Sequence, residues 1–263
     1  MNMRLLINRS HGHLRFMDYR VGNYDQKCNE LDRMAQEEGL KKVFTLVEKQ
    51  DSNNWKSAGF HREGVYPAYF RTADAYVMSR LYDSEGTPTP IAPPAKNQPE
   101  DRMNQRGRKV NKPGKVRWEL IEDKRSVTEL LDEFNGQLRS LPFGRTAGPD
   151  MVLHAKARAT EGWVCAEIED SFGHAVVAFA PPPTNEKQLG LSTFAGSVLV
   201  DQLRNKHVNN LFGLSPTTDA WANELFAELG FRVTGRLSQH IRTHQGEYSN
   251  ALIWHRRLST GRH

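Results

Sequence analysis

The sequence predicts a mixed α/β fold: a mostly antiparallel sheet flanked by helices and preceded by a half-size repeat of the same run of elements. Three observations lead there. Short β-rich apolar segments alternate with stretches of helical apolar spacing along the chain. One element occurs twice, as NNWKSAGFHREG (53–64) and NELFAELGFRVTG (223–235). Each copy has an aromatic (Trp55, Phe226) four residues before a Gly-Phe pair and a further glycine (Gly64, Gly235) four residues after the Phe. Residues 84–115 carry six prolines and no apolar period. They read as an extended linker between an N-terminal unit, residues 1–83, and a C-terminal unit, residues 116–263.

Each element has a local reason. RLLIN and LRFMDYRV read as strands around the turn-rich RSHGH. Asn23 or Asp25 is placed to cap a helix carrying Cys28, Leu31, Met34 and Ala35, which Gly39 stops. KKVFTLV is a strand, a short helix runs through Trp55 into Gly59-Phe60, and 76–81 closes the unit. In the C-terminal unit VRWELIE is a strand, and Ser126 precedes a helix with Val127, Leu130, Leu131 and Phe134 on one face. GWVCAEIE and HAVVAFAP pair around DSFG, and QLGLSTF reads as a third strand. AGSVLVDQLRNKH is a helix and NNLFGLS a strand. A helix ending in LFAELGF and the strands TGRLSQHI and SNALIWHRRL follow. Gly59 and Gly230 fit left-handed helix ends, and the Phe after each is read as core. The N-terminal copy lacks the leading strands, so its apolar face needs cover from the C-terminal unit or from a second chain in a homodimer.

Composition narrows the function classes. The 263 residues, 38% apolar and 9% aromatic, can build a core. No run of ~18 apolar residues is present, so no membrane span is expected. The N-terminus MNMRLLINRSHGH lacks a signal-peptide core, and the only cysteines, Cys28 and Cys165, suit a reducing cytoplasm. The net charge of +5 is concentrated at Arg102, Arg106, Arg108, Lys109, Lys112, Lys115 and Arg117. Without interleaved aromatics this reads as a solvated linker ahead of a nucleic-acid site.

The order of elements resembles the GNAT-type N-acetyltransferases, and within them the β-lysine N-acetyltransferase group. The resemblance is carried by LRFMDYR, KKVFTLV, Gly59-Phe60 and YPAYFRTADAYVMSRL in the first half. In the second half it is carried by Asn223, Phe226, Gly230-Phe231, TGRL (234–237) and ALIWHRRL (251–258). It implies a GNAT fold with a half-GNAT repeat in front. It also implies acetyl transfer from acetyl-CoA to the amine of β-lysine or a similar small amino acid. The family's phosphate loop is degenerate here. Where QLGLSTF runs into VLVDQL stand Ser192, Thr193, Phe194, Ala195, Gly196 and Ser197, with one Gly and no Arg or Gln. These residues, with Asn223 and Phe226, are the cofactor-binding candidates. No carboxylate lies between Lys187 and Val200, which leaves Glu167 and Glu169, on one face of a strand by period two, as the catalytic candidates. Phe226 stands where many family members carry a proton-donating Tyr. A catalytically degenerate descendant acting as a binding or scaffold module is the alternative. His11-x-His13 lacks completing ligands, so no metal site is expected.

Overall fold

The computed structural model describes residues 3–9, 11–91, 113–123, 149–242 and 246–258. In chain order the elements begin with β1 (Met3–Asn8), β2 (His13–Asp18), α1 (Tyr24–Glu37), β3 (Lys42–Val47) and α2 (Lys49–Ser57). They continue with β4 (His61–Phe70), β5 (Ala73–Tyr82), β6 (Pro88–Thr89), β7 (Arg117–Ile121) and β8 (Met151–Ala157). Next come β9 (Thr160–Glu169), β10 (His174–Ala180), α3 (Glu186–Asn205) and β11 (Asn210–Pro216). The last are α4 (Ala220–Glu228), β12 (Arg232–Arg242) and β13 (Tyr248–Arg257). The helix expected after Ser126 and the basic cluster at 102–112 lie outside the described residues.

The chain forms two compact units. Unit 1 is Met1–Gln98 with Thr234–Ile253, and unit 2 is Pro99–Val233 with Trp254–His263. In unit 1 the strands run β1-β2-β3-β5-β4-β12. β2 and β3 are parallel, from His13↔Lys42 to Phe16↔Thr45, and α1 bridges them as a crossover. In unit 2 the order is β11-β10-β9-β8-β7, with β10 and β11 parallel and α3 as their crossover. The result is a mixed, mostly antiparallel sheet with flanking helices, the α/β architecture expected. β8 is a strand that the sequence reading did not single out.

The repeated element proves to be a helix stop. Gly59 and Gly230 have φ of 86° and 75°. Phe60 N donates to Trp55 O at 3.0 Å and Gly59 N to Lys56 O at 3.0 Å. In the second copy Phe231 N donates to Phe226 O at 3.0 Å and Gly230 N to Ala227 O at 2.9 Å. This paired 6→1 and 5→2 bonding is the Schellman motif, which brings the residue after the glycine against the one four before it. The rings meet edge-on in both copies, Trp55–Phe60 at 5.0 Å and Phe226–Phe231 at 5.2 Å. Spacing and residue type follow from that geometry, and no chemistry is needed to explain them.

In unit 1 the face under α1 and α2 holds Leu14, Phe16, Leu31, Val43, Trp55, Phe60 and Met78 in one core. Asn23 does precede α1, but its backbone is left-handed (φ 54°) and its side chain makes no cap bond. The opposite face is also buried and carries, beside Phe44 and Val77, a polar cluster. Lys42 Nζ donates to Glu63 Oε2 (2.5 Å) and to Ser238 O (2.8 Å), while Ser238 N donates to Glu63 Oε1 (2.6 Å). Ser79 Oγ donates to the same carboxylate. The side chains of Lys42 and Glu63 are 0% and 2% exposed, so pairing and full hydrogen bonding are what make their burial tolerable. Beside them His13 packs on His240, ring centroids 4.8 Å apart. The glycines that end the two repeats meet: Gly235 pairs with Gly64. A Cβ built on Gly235 would stand 2.5 Å from the Gly64 Cα, so neither position has room for a side chain.

Candidate functional site at the parting of β10 and β11

The β10–β11 register is short: His174↔Asn210, Ala175↔Leu211 and Val176↔Phe212. Both strands run on past it, to Ala180 and Pro216. The result is a fork at which backbone groups of β10 lack a β11 partner in the register. β9 continues to pair with β10 along the other side, through Ala178↔Cys165 to Ala180↔Trp163.

The two faces of the sheet differ around this fork. On the face of α3 and α4, Phe226 packs edge-on to Phe179 at 5.5 Å and parallel to Trp254 at 5.5 Å. Gly213 is obligatory beneath it, because a Cβ there would lie 2.3 Å from the Phe226 ring. Asn223 is 1% exposed. Trp254 Nε1 donates to Ser215 Oγ (2.7 Å), Ser215 Oγ donates to Asn223 Oδ1 (2.6 Å), and Asn223 Nδ2 donates to Thr217 O (3.3 Å). This closed network leaves the Asn223 amide to hold β11, α4 and Trp254 together. Phe226 is likewise core.

Glu167 lies across the sheet from Val176, which pairs with Phe212, so it stands in the row where the fork opens. It is buried, whereas Glu169 is half-buried and one step back, opposite His174. Side chains alternate along a strand, so Val176 and Phe179 face opposite ways, and Glu167 shares the face of Val176. The structure therefore does not bring Glu167 together with Asn223 and Phe226. On the Glu167 face, Phe212 stacks on His255 at 5.3 Å, and His255 Nε2 is 3.1 Å from Asn210 Oδ1. Cys165 is buried beside Glu167, and burial first, then that carboxylate, pushes its thiol up to about 12.

One expectation is corrected outright. QLGLSTF is not a strand: it is the first half of α3, which runs unbroken from Glu186 to Asn205. Ser192, Thr193, Phe194, Ala195, Gly196 and Ser197 therefore lie inside a helix, where backbone N–H groups are committed to the helix's own carbonyls. Gly196 is small for packing: a Cβ on it would meet Leu229 Cδ1 at 2.7 Å and Phe179 Cε1 at 3.2 Å. Ser197 Oγ donates back to Thr193 O at 2.9 Å. Buried Leu189, Ser192, Ala195, Gly196, Leu199 and Leu203 recur at helical spacing, and packing on β8 and β9 outweighs the weak intrinsic propensity of two glycines and a Thr.

The helix start missed in the sequence reading lies at PPPTNEKQ. Asn185 is the N-cap: its Oδ1 accepts from Lys187 N and Gln188 N, each at 3.1 Å. Gln188 Oε1 accepts in turn from Thr184 N (2.8 Å) and Thr184 Oγ1 (2.6 Å). Asn-x-x-Gln after three prolines was the available signal, a variant of the capping box. Among the described residues no group of three His, Cys, Asp or Glu side chains is placed to hold a metal ion, and no helix is long and apolar enough to cross a membrane.

No family model matches the chain, and no curated protein matches it. Solved structures do align. A putative acetyltransferase from Salmonella typhimurium, solved with acetyl-CoA, aligns at TM-score 0.41 and 15% identity, over 55% of this chain and 94% of its own. The ribosomal-protein-S18-alanine N-acetyltransferase of Escherichia coli gives 0.41 and 17%, over 55% and 95%. An N-acetyltransferase from Staphylococcus aureus Mu50 gives 0.41 and 9%, over 56% and 100%.

Proposed function

We propose that the protein is an acetyl-CoA-dependent N-acetyltransferase acting on the amine of a small amino acid such as β-lysine. The observation that carries this reading is the fork: β10 and β11 part after three paired residues with a helix starting beyond the end of β10. Such an opening lets a thioester carbonyl reach one face while the amine approaches from the other. Acetyl-CoA, when bound, supplies the acetyl thioester. The unpaired side of β10 over Val177–Ala180 suits the amide-bearing arm of that cofactor. The Lys187 and Gln188 amides, with the Lys187 ammonium, are the donor set for its pyrophosphate. Glu167, at the crotch of the fork, is the group assigned to take the proton of the incoming ammonium. A lysine-like amine costs about 4–5 kcal/mol to neutralise at pH 7. Phe226 has no proton to give, which leaves solvent to protonate the departing thiolate.

A second reading, a catalytically degenerate binding module, is favoured by one observation: Asn185 already satisfies the two α3 amides. One experiment separates the two. Acetyl-CoA at about a hundred times Kd should raise stability by ~2.7 kcal/mol, visible as a melting shift. Thiol release is then followed with β-lysine, lysine and simple diamines. Binding and release support the enzyme, and binding without release from any amine supports the module. Neither heat nor melting shift at millimolar acetyl-CoA removes the first reading.

A further inference from the structure

We infer that Phe226 is a positioning residue: its ring, set against Phe179, is the wedge that keeps β10 and β11 apart beyond Val176 and Phe212 and so keeps the fork open for a ligand. That the ligand is acetyl-CoA rests on the reading above, whereas the wedge rests on the packing alone.

Paired strands lie about 4.8 Å apart and gain hydrogen bonds along their whole length, so an early parting needs a cause. Here both strands stay extended past the last pair, β10 to Ala180 and β11 to Pro216. The register, carried on, would set Val177 against Gly213 and Phe179 against Ser215. The Phe226 ring stands in that place instead. It lies over Gly213, 2.3 Å from where a Cβ would be, and meets Phe179 edge-on at 5.5 Å. Trp254 stacks on it from the β13 side at 5.5 Å. Phe179 is backed by α3 at Gly196, where a Cβ would stand 3.2 Å from its Cε1. The ring of Phe226 therefore fills the space that Phe179 would have to cross to reach Ser215. Ser215 is itself engaged away from β10, accepting from Trp254 Nε1 and donating to Asn223 Oδ1. One ring and one hydroxyl thus hold the two halves of the unmade pair apart, and two glycines, Gly196 and Gly213, make room for the aromatic pair that does it.

The test uses the full chain and reads amide hydrogen exchange by NMR, with coenzyme A affinity measured by calorimetry alongside. Phe226→Ala removes the wedge beside two strand edges that can collapse into the space by forming the missing bonds. Phe226→Leu keeps most of the apolar volume without a ring to reach Phe179, and it serves where the Ala protein does not fold. Successive N–H groups along a strand alternate sides, so every second amide from Val177 to Ala180 faces the fork. In the variants those amides should exchange about fivefold more slowly than in wild type, the factor that a typical net hydrogen bond represents. Loss of core packing by itself speeds exchange, so slowing confined to the fork is a readout that a merely structural role does not give. Coenzyme A should bind the variants more weakly, since its amide-bearing arm must first reopen the ladder. Fork amides that exchange as in wild type or faster overturn the inference. Unchanged coenzyme A binding in a variant whose fork amides have slowed also overturns it, because the opening is then not what admits the ligand. If wild type binds no coenzyme A, the acetyl-CoA reading falls, and the exchange comparison alone decides the wedge.

Discussion

Acidification from about pH 7 to about pH 5 should weaken unit 1 through His13. The ring is 3% exposed, wedged between His240 and the edge of Phe44, with Nε2 3.2 Å from Gln239 O. Burial first, and the Lys42 ammonium second, hold its pKa down to about 3, against 6.5 for an ordinary imidazole. In the unfolded chain the ring takes up a proton as pH falls through the ordinary value, while the folded ring stays neutral. The stability it contributes is therefore complete above that value and is lost progressively as pH falls toward about 3. At pH 5 the loss is about 2 kcal/mol, from ~1.5 pH units at 1.36 kcal/mol each. His240, wholly buried beside Lys42 and His13, is lowered for the same reasons and acts in the same direction. Urea unfolding at both pH values, in wild type and His13→Gln, isolates the effect, because other titrations cancel in the difference. Gln can still donate to Gln239 O but cannot take up a proton in this range. The variant should lose about 2 kcal/mol less than wild type between the two pH values. An identical pH loss in both proteins, or an NMR titration of His13 near its ordinary value in the folded state, would refute the reasoning.

Two further outcomes follow from unit 1. Glu63→Gln leaves the Lys42 ammonium buried without its counter-charge, and should cost about 3–5 kcal/mol. The double change Lys42→Met with Glu63→Leu should cost clearly less than the single one, and a larger loss would show that the pair contributes net stability. Gly235→Ala should cost about 1–3 kcal/mol, because the new methyl meets the Gly64 backbone and Ile253 Cδ1. Thermal melting reads it, and a melting temperature equal to wild type would contradict the close approach.

What the sequence showed plainly was what short-range physics determines. Trp55, Gly59 and Phe60, and their counterparts Phe226, Gly230 and Phe231, belong to local motifs whose bonds span six residues or fewer, so their spacing alone predicts their geometry. The start of α3 was equally local but was hidden by Leu189 and Leu191 flanking Gly190, which imitates the two-residue period of a strand. Only the burial of Ala195, Leu199 and Leu203 behind it settles the helical period. The roles of Asn223 and Glu167 were not legible in the same way. Whether Asn223 faces a cofactor depends on Ser215 and Trp254, and the place of Glu167 at the fork depends on a register with Val176 and Phe212. Neither the Lys42–Glu63 pair nor its bonds to Ser238 left any periodic trace, since no spacing rule links residues so far apart.

The bonds from Lys42 and Glu63 to Ser238 span 196 and 175 positions, and that from His13 to Gln239 spans 226. Unit 1 joins Met1–Gln98 to Thr234–Ile253. A ribosome adding ~5–20 residues per second needs ~8–30 s to go from Gln98 to Ile253. Through that interval the face carrying Lys42 and Glu63 has no Ser238 to bond, and β4 has no β12 beside it. Vectorial synthesis usually lets an N-terminal domain finish folding before the next one emerges. Here Lys42, Glu63 and β4 leave the ribosome well before Ser238 and β12, and they need protection from unwanted partners until those arrive.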